Sequence, residues 1–299
     1  MSIEGKVQIL DKLTQEEERK LKRKLKEQYE QALKEVNDRL GQVYQKYATK
    51  DKLTYAEMQK YNRFESLMQN IRENLYNLYD KNESQMIDNL QDVYEQNYLY
   101  TGYILETEAQ AKLAYTMVNN EVAKRAILNP ISGLTLPERL EKNRDQIIIK
   151  TREQLTQGLV QGESYRQQTN RIKDIYEEDI NKSATIVQTE NNRVRNEATN
   201  ASYEHAKKRG LKFDKVWVAT LDSRTRKAHR RLDGDKADED GYFHVRGHSA
   251  KYPGGFGVAE LDINCRCTTK TEFKDLTPEQ RKARNARGQN RIIPYATYD

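Results

Sequence analysis

The sequence predicts a mainly α protein, with long helical hairpins followed by a small α+β module near the C-terminus. Three observations predict it. From Leu21 onward apolar residues fall four and three apart, through Leu25, Tyr29, Leu33 (or Ala32), Val36, Leu40, Val43 and Tyr47. That is the period of a helical seam. The composition is 36% hydrophobic and 33% charged, with a mean hydropathy of −1.03. This is too polar for one large core and suits extended helices that pack with partners. Lastly, the stretch from Lys215 to Thr269 gathers the only Trp, both Cys, three of the four His and a cluster of glycines.

The first helix is expected over residues 14–48. Thr14 and Glu17 form a capping box, each side chain satisfying a free backbone N–H of the first turn. Thr54 and Glu57 repeat that signal and open a second helix, expected to run through Leu78. A third is expected from Ser84 to Tyr100 and a fourth from Leu105 to Leu128, giving up-and-down hairpins joined by short loops. Eleven of the nineteen tyrosines lie between Tyr44 and Tyr115. A tyrosine at the rim of a slender bundle buries its ring and keeps its hydroxyl wet, and a protein-docking surface favours the same residue. Asn129-Pro130 to Pro137, with Ser132-Gly133 inside, is the clearest breaker. Pro137 then suits the first turn of a helix from Leu136 to Gln161. Gly162 stops it. Further helices are expected over Ser164–Ile175 and Glu178–Arg209, the last ended by Gly210.

The module has a different grammar. Val216 to Thr220 is β-branched or aromatic and reads as a strand. Asp222 stands where a helix cap belongs, and Ser223–Leu232 follows as a helix of about three turns. Asp233-Gly234 stops it, glycine taking the left-handed conformation. The helix carries Arg224, Thr225, Arg226, Lys227, His229, Arg230 and Arg231 and no acid, with Arg226, His229 and Arg230 on one face. Tyr242–Val245 reads as a short strand and 247–257 as a Gly/Pro loop. Leu261–Thr269 reads as a last strand, with Leu261, Ile263, Cys265 and Cys267 on one side and Asp262, Asn264, Arg266 and Thr268 on the other.

At 299 residues the chain has room for two domains. No apolar run approaches the ~18 residues of a membrane span. The opening Met1-Ser-Ile-Glu-Gly-Lys-Val lacks an apolar secretory core, and a Cys-x-Cys pair is a poor structural disulfide, so the expected setting is a cytoplasm. The formal charge is +6, and residues 200–299 carry 21 Lys+Arg against 14 Asp+Glu, the rest being nearly neutral. The tail contributes Arg281, Lys282, Arg284, Arg287 and Arg291 without an acid between them. Such a run is either a solvated face or a contact for nucleic acid or an acidic protein surface.

The order W-V-A-T-L-D-x-R-T-R-x-x-H-x-x-L-D-G, then Y-P-G-G, then N-C-R-C resembles the C-terminal domain of the phage Mu F-type minor head proteins, the head-morphogenesis family of tailed phages. Gly162-Glu163-Ser164 and A-T-I-V-Q-T-E, ending at Glu190, resemble the segment that precedes the motif. The resemblance covers roughly 154–269. Where many relatives carry a Cys and a His-Pro, this chain has Arg226 and Asp262-Ile263. The resemblance implies an extended helical arm over residues 1–130, a head-morphogenesis domain over 131–275 (helices 136–210, α+β module 215–269) and a basic tail over 276–299. It implies a minor capsid protein that binds the portal during procapsid assembly, with the scaffold or major capsid protein as further partners. It also implies a place inside the capsid near the portal vertex, and contact with packaged double-stranded DNA. DNA contact of this kind is non-specific and salt-sensitive. The motif residues it marks are Glu190, Trp217, Asp222, Arg224, Thr225, Arg226, His229, Gly234, Asn264, Cys265, Arg266 and Cys267, in structural or partner-binding roles. Lys227, Arg230, Arg231 and the tail cations are the basic contacts.

The residues themselves leave chemistry open. Cys265, Cys267, His229 and either His244 or His248 offer four N/S ligands for structural zinc. Cys-x-Cys gives less slack than the usual C-x₂₋₄-C, and two thiols beside Leu261 and Ile263 read first as small buried apolar residues. No cofactor is otherwise expected. Asp222, His229 and Glu190 could form a metal-nuclease or acid–base set. Yet Asp222 has work as a cap, and Glu190 could pair with Arg224 or Arg226. With no nucleophile elbow, Walker loop or dinucleotide fingerprint, an enzyme, whether a metal-dependent nuclease or a toxin-like transferase, is not the expected reading; the first alternative is a non-specific DNA-binding structural protein with no portal role.

Overall fold

A computed structural model describes residues 3–273, 280–284 and 290–294. Helices dominate: α1 (Ile3–Tyr47), α2 (Tyr55–Gln59), α3 (Arg63–Ala109), α4 (Asn120–Ile127), α5 (Leu136–Gln161) and α6 (Tyr165–Lys208). After them come β1 (Asp214–Val218), α7 (Lys227–Arg231), β2 (Phe243–Val245), β3 (His248–Ala250), α8 (Ala259–Asp262), β4 (Thr268–Glu272), β5 (Gln280–Arg284) and β6 (Asn290–Pro294). This is the predicted class. Among the described residues no helix is long and apolar enough to cross a membrane.

The helix ends follow their chemistry where the caps are local. Thr54 Oγ1 accepts the N–H of Glu57 at 3.2 Å. The Thr135–Glu138 capping box opens α5, and Gly162 closes it at φ 66°. That left-handed conformation costs a residue without Cβ nothing. Four expectations needed correction. Thr14 is no cap: α1 begins eleven residues earlier, and Thr14 lies buried in mid-helix, donating to Leu10 O at 3.0 Å. The second expected helix breaks after α2 at a tight turn over Lys60–Asn62, where Tyr61 takes φ 55°, and its remainder runs on with the third and the start of the fourth as the single helix α3. No Gly or Pro interrupts residues 79–84, and burial of Asn82 and Met86 carries the helix through. Gly102 sits inside α3 because the ring of Tyr115 packs there, so that an added Cβ would lie 2.6 Å from it. The remainder of the fourth expected helix is irregular chain over 111–119 followed by the short helix α4. Leu113 is buried there, and Tyr115 stacks on His205 at 4.4 Å. Residues 165–208 form one helix rather than two, since Tyr176 and Asp179 bury where a break was expected.

The chain divides into two compact units, each assembled from separate stretches. One comprises residues 19–87 and 135–185. Its core contains Leu25, Tyr29, Val36 and Leu40 of α1, Phe64, Met68, Ile71 and Leu75 of α3, Leu140 and Leu155 of α5, and Tyr176 of α6. Within it the buried carboxylate of Asp179 accepts from Tyr29 Oη at 2.7 Å and from Tyr79 Oη. Burial foremost raises the Asp179 carboxyl, while the two tyrosine donors oppose the shift. Here the tyrosines work as core hydrogen-bond donors, which a rim position would not require.

The other unit comprises residues 1–18, 88–134 and 186–299. Its described residues form three two-stranded antiparallel pairs: β1 with β4 (Trp217 opposite Thr269), β2 with β3 (His244 opposite Ser249) and β5 with β6 (Lys282 opposite Ile292). The β2–β3 hairpin was missed because His248–Ala250 reads as loop; Gly247 at φ 77° makes its turn. The core behind the sheet is Trp217, Ala219, Ala228, Leu232, Phe243, Phe256, Leu261 and both cysteines.

Candidate functional site

The motif residues come together in the second of these units, around Trp217. Lys215, Val216 and Trp217 are all buried, so β1 is covered on both sides. Trp217 meets Phe243 edge-on at 5.1 Å and His229 at 5.7 Å. Gly234, at φ 85°, turns the chain back along β1, and its N–H donates to Trp217 O at 2.9 Å. Trp217 N–H donates in turn to Asp235 O at 2.9 Å. Asp233 Oδ1 accepts the N–H of Ala219 at 2.7 Å. L-D-G is therefore a strap along the strand.

Asp222 joins the two halves of the motif. Its Oδ1 accepts the N–H of Arg224 at 2.9 Å and Arg266 Nη2 at 2.9 Å, while Oδ2 accepts Arg266 Nη1. The Arg266 guanidinium, as the principal cause, holds the Asp222 carboxyl at about 2. Thr225 Oγ1 donates to Thr220 O, and Thr220 Oγ1 donates to Arg266 O at 2.8 Å. These local bonds compete with helix formation, so the expected helix Ser223–Leu232 shrinks to α7, with Arg226 as its N-cap.

The N-C-R-C segment is not a strand from Leu261. Residues 259–262 form α8, Asn264 takes φ 58°, and β4 starts only at Thr268. The reason is Asp262, which is buried against expectation. Its carboxylate accepts the N–H of Phe256 at 3.2 Å and of Val258 at 3.1 Å, holding the preceding loop. Helix α6 grips the rest. Thr189 Oγ1 accepts Asn264 N–H at 3.0 Å, and Asn196 Nδ2 donates to Cys267 O at 3.0 Å.

Glu190 pairs with neither Arg224 nor Arg226. Its Oε2 accepts Arg193 Nη2 at 2.7 Å and Nε at 3.0 Å, both side chains being 1% exposed. Arg193 also donates to Ala126 O at 2.6 Å and Ile127 O at 3.0 Å, satisfying the last carbonyls of α4. Arg193 and Asn196 went unnoticed in the sequence, and Asp262 was expected on the outward side of a strand. The signal was there in T-E-N-N-R-V-R-N: Glu190 and Arg193 three apart, and polar residues where a buried helix face should be apolar.

The cations are partly committed. Arg226 donates to Ile263 O, and Arg230 donates to Thr225 O at 2.8 Å and Ser223 O at 3.1 Å. Arg224, Lys227 and Arg231 are exposed. The expected shared face of Arg226, His229 and Arg230 does not form, because His229 is buried. Arg281, Lys282 and Arg284 lie in β5 and Arg291 in β6, while Arg287 lies outside the described residues. Arg284 N–H donates to Leu221 O at 3.2 Å, tying β5 to the motif turn.

His229, Cys265 and Cys267 converge. Their ligand atoms lie within 4.8 Å of one another, all buried. His244 and His248 are exposed on the β2–β3 hairpin and stand apart from this group. His244 bonds Ser249 Oγ at 2.9 Å and Asp238 Oδ2 at 2.6 Å. Nor do Asp222, His229 and Glu190 face a common point: they face Arg266, the two thiols and Arg193 respectively.

The family model for phage Mu protein F like protein matches residues 149–270. Minor head protein GP7 of Bacillus phage SPP1 is 35% identical over 267 residues, 89% of this chain and 86% of that one. The chain belongs to the phage Mu protein F-like family of minor head proteins. It is thus a phage head protein. A second relative, the NAD(+)--arginine ADP-ribosyltransferase EFV of Enterococcus faecalis, is 35% identical over 201 residues, which are 67% of this chain but only 41% of that protein. No solved structure matches.

Proposed function

We propose that this phage head protein binds the portal during head assembly, taking its place in the virion at the portal vertex. The observation that carries the reading is the similarity to a minor head protein along 89% of the chain. The site agrees with it in kind. The motif acids are paired inside the module, Arg224 stands 3.7 Å from Asp222 with most of its side chain exposed, and the exposed Lys227 and Arg231 are offered to a partner. An acidic portal surface fits these cations, and DNA phosphates are a secondary contact. The ADP-ribosyltransferase activity in the second relative's name belongs to that protein, of which this chain spans 41%.

Co-purification with the cognate portal, at low and high salt and with and without DNA, tests the reading. Capture that survives high salt without DNA is the expected result. Capture only at low salt and only through DNA would make the chain a non-specific nucleic-acid binder and remove the portal role.

A further inference from the structure

The sulfur atoms of Cys265 and Cys267 lie 3.7 and 3.4 Å from the same atom, His229 Nδ1. One ring nitrogen has a single in-plane lone pair or proton and can hydrogen-bond one sulfur well. Two thiols on one nitrogen are therefore over-subscribed as a hydrogen-bond arrangement. His229 Nε2 has no hydrogen-bond partner and is buried. Among the described residues the imidazole thus has no hydrogen-bonding contact except the two sulfurs to offset its burial.

We propose that His229, Cys265 and Cys267 bind a thiophilic divalent cation, zinc. Around tetrahedral zinc, with Zn–S about 2.3 Å and Zn–N about 2.0–2.1 Å, neighbouring ligand atoms stand roughly 3.5–3.8 Å apart. The two observed S–N separations, 3.4 and 3.7 Å, lie close to that spacing, and all three ligand atoms stand within 4.8 Å of one another. The charge also balances, since two thiolates and a neutral imidazole cancel the ion and leave no net charge to bury. Among the described residues no fourth His, Cys, Asp or Glu joins the group, so water completes the coordination. The ion would link α7 to the segment leading into β4, the two halves of the motif that Asp222–Arg266 already joins.

The test uses the full chain. Purified from zinc-supplemented cells, it should carry stoichiometric zinc by elemental analysis. After removal of zinc, titration with cobalt(II) should give a thiolate-to-cobalt charge-transfer band that is lost in the Cys265→Ser/Cys267→Ser variant. His229→Ala should keep a band but bind cobalt more weakly. A wild-type chain with native Trp217 fluorescence that holds no stoichiometric zinc and gives no cobalt band overturns the proposal, whether or not the variants fold. A band that persists in the double serine variant also overturns it, and stoichiometric copper in place of zinc overturns the assignment of the metal.

Discussion

Replacing Arg193 with Met should be among the most damaging single changes in the motif-bearing unit. Arg193 is 1% exposed and faces Glu190, also 1% exposed. Met keeps much of the volume and removes the charge. Glu190 would then be a buried carboxylate with its cation gone, and removing one partner of such a pair costs about 3–5 kcal/mol. The carbonyls of Ala126 and Ile127 lose their donors as well. Relaxation of the α4 end would return part of that, so about 3–5 kcal/mol is the expected total. The sole tryptophan, Trp217, lies in the same unit, so urea unfolding followed by its fluorescence reads the relevant transition. Pairing the change with Glu190→Gln should recover part of the loss, since the deeper of the two carboxylates that Arg193 pairs with is then neutral, while Glu197, 3.2 Å from Arg193 Nη1 and 23% exposed, keeps its charge. A loss under about 1 kcal/mol, or a double variant no more stable than Arg193→Met, would refute the idea that this pair organises the unit.

Two further predictions concern pH. Asp222, held at about 2 in the fold against ~3.9 unfolded, contributes about 2 kcal/mol that is present above pH 4 and lost as pH falls toward 2. Asp222→Asn should remove that dependence, and acid titrations of the two proteins by Trp217 fluorescence that superimpose would contradict it. Lys215 is buried, donating to Asn200 Oδ1 and Lys251 O at 2.7 Å, and burial foremost lowers it to about 8. Between pH 8 and its unfolded value of ~10.4 the unfolded chain holds more protons, so wild-type stability should rise with pH relative to Lys215→Met, by about 3 kcal/mol in total. A difference between the two proteins that stays constant from pH 7.5 to 10 would contradict that.

Much of the helical layer was legible because caps and stops are local. Thr135 with Glu138, Gly162 and Gly210 mark their positions through bonds and backbone angles set within a few residues. Helix continuity was less legible. Residues 79–84 and 176–178 look breakable in isolation, and only the burial of Asn82, Tyr176 and Asp179 shows why the helices continue. The inward face of the motif was readable at the cysteines, both buried as their alternation with Arg266 suggested. The partners of its charged members were not readable. Asp222 finds Arg266 forty-four positions away, and Asp262 breaks the expected strand by holding backbone amides of its own loop. Such pairings depend on tertiary placement, which spacing along the chain does not encode.

The central claim is that this head protein enters the particle through the portal. The direct measurement is its copy number in purified procapsids assembled with and without the portal protein. The account predicts incorporation with portal and near-complete loss without it; undiminished incorporation into portal-less procapsids would contradict it and point to the scaffold or major capsid protein as the docking partner.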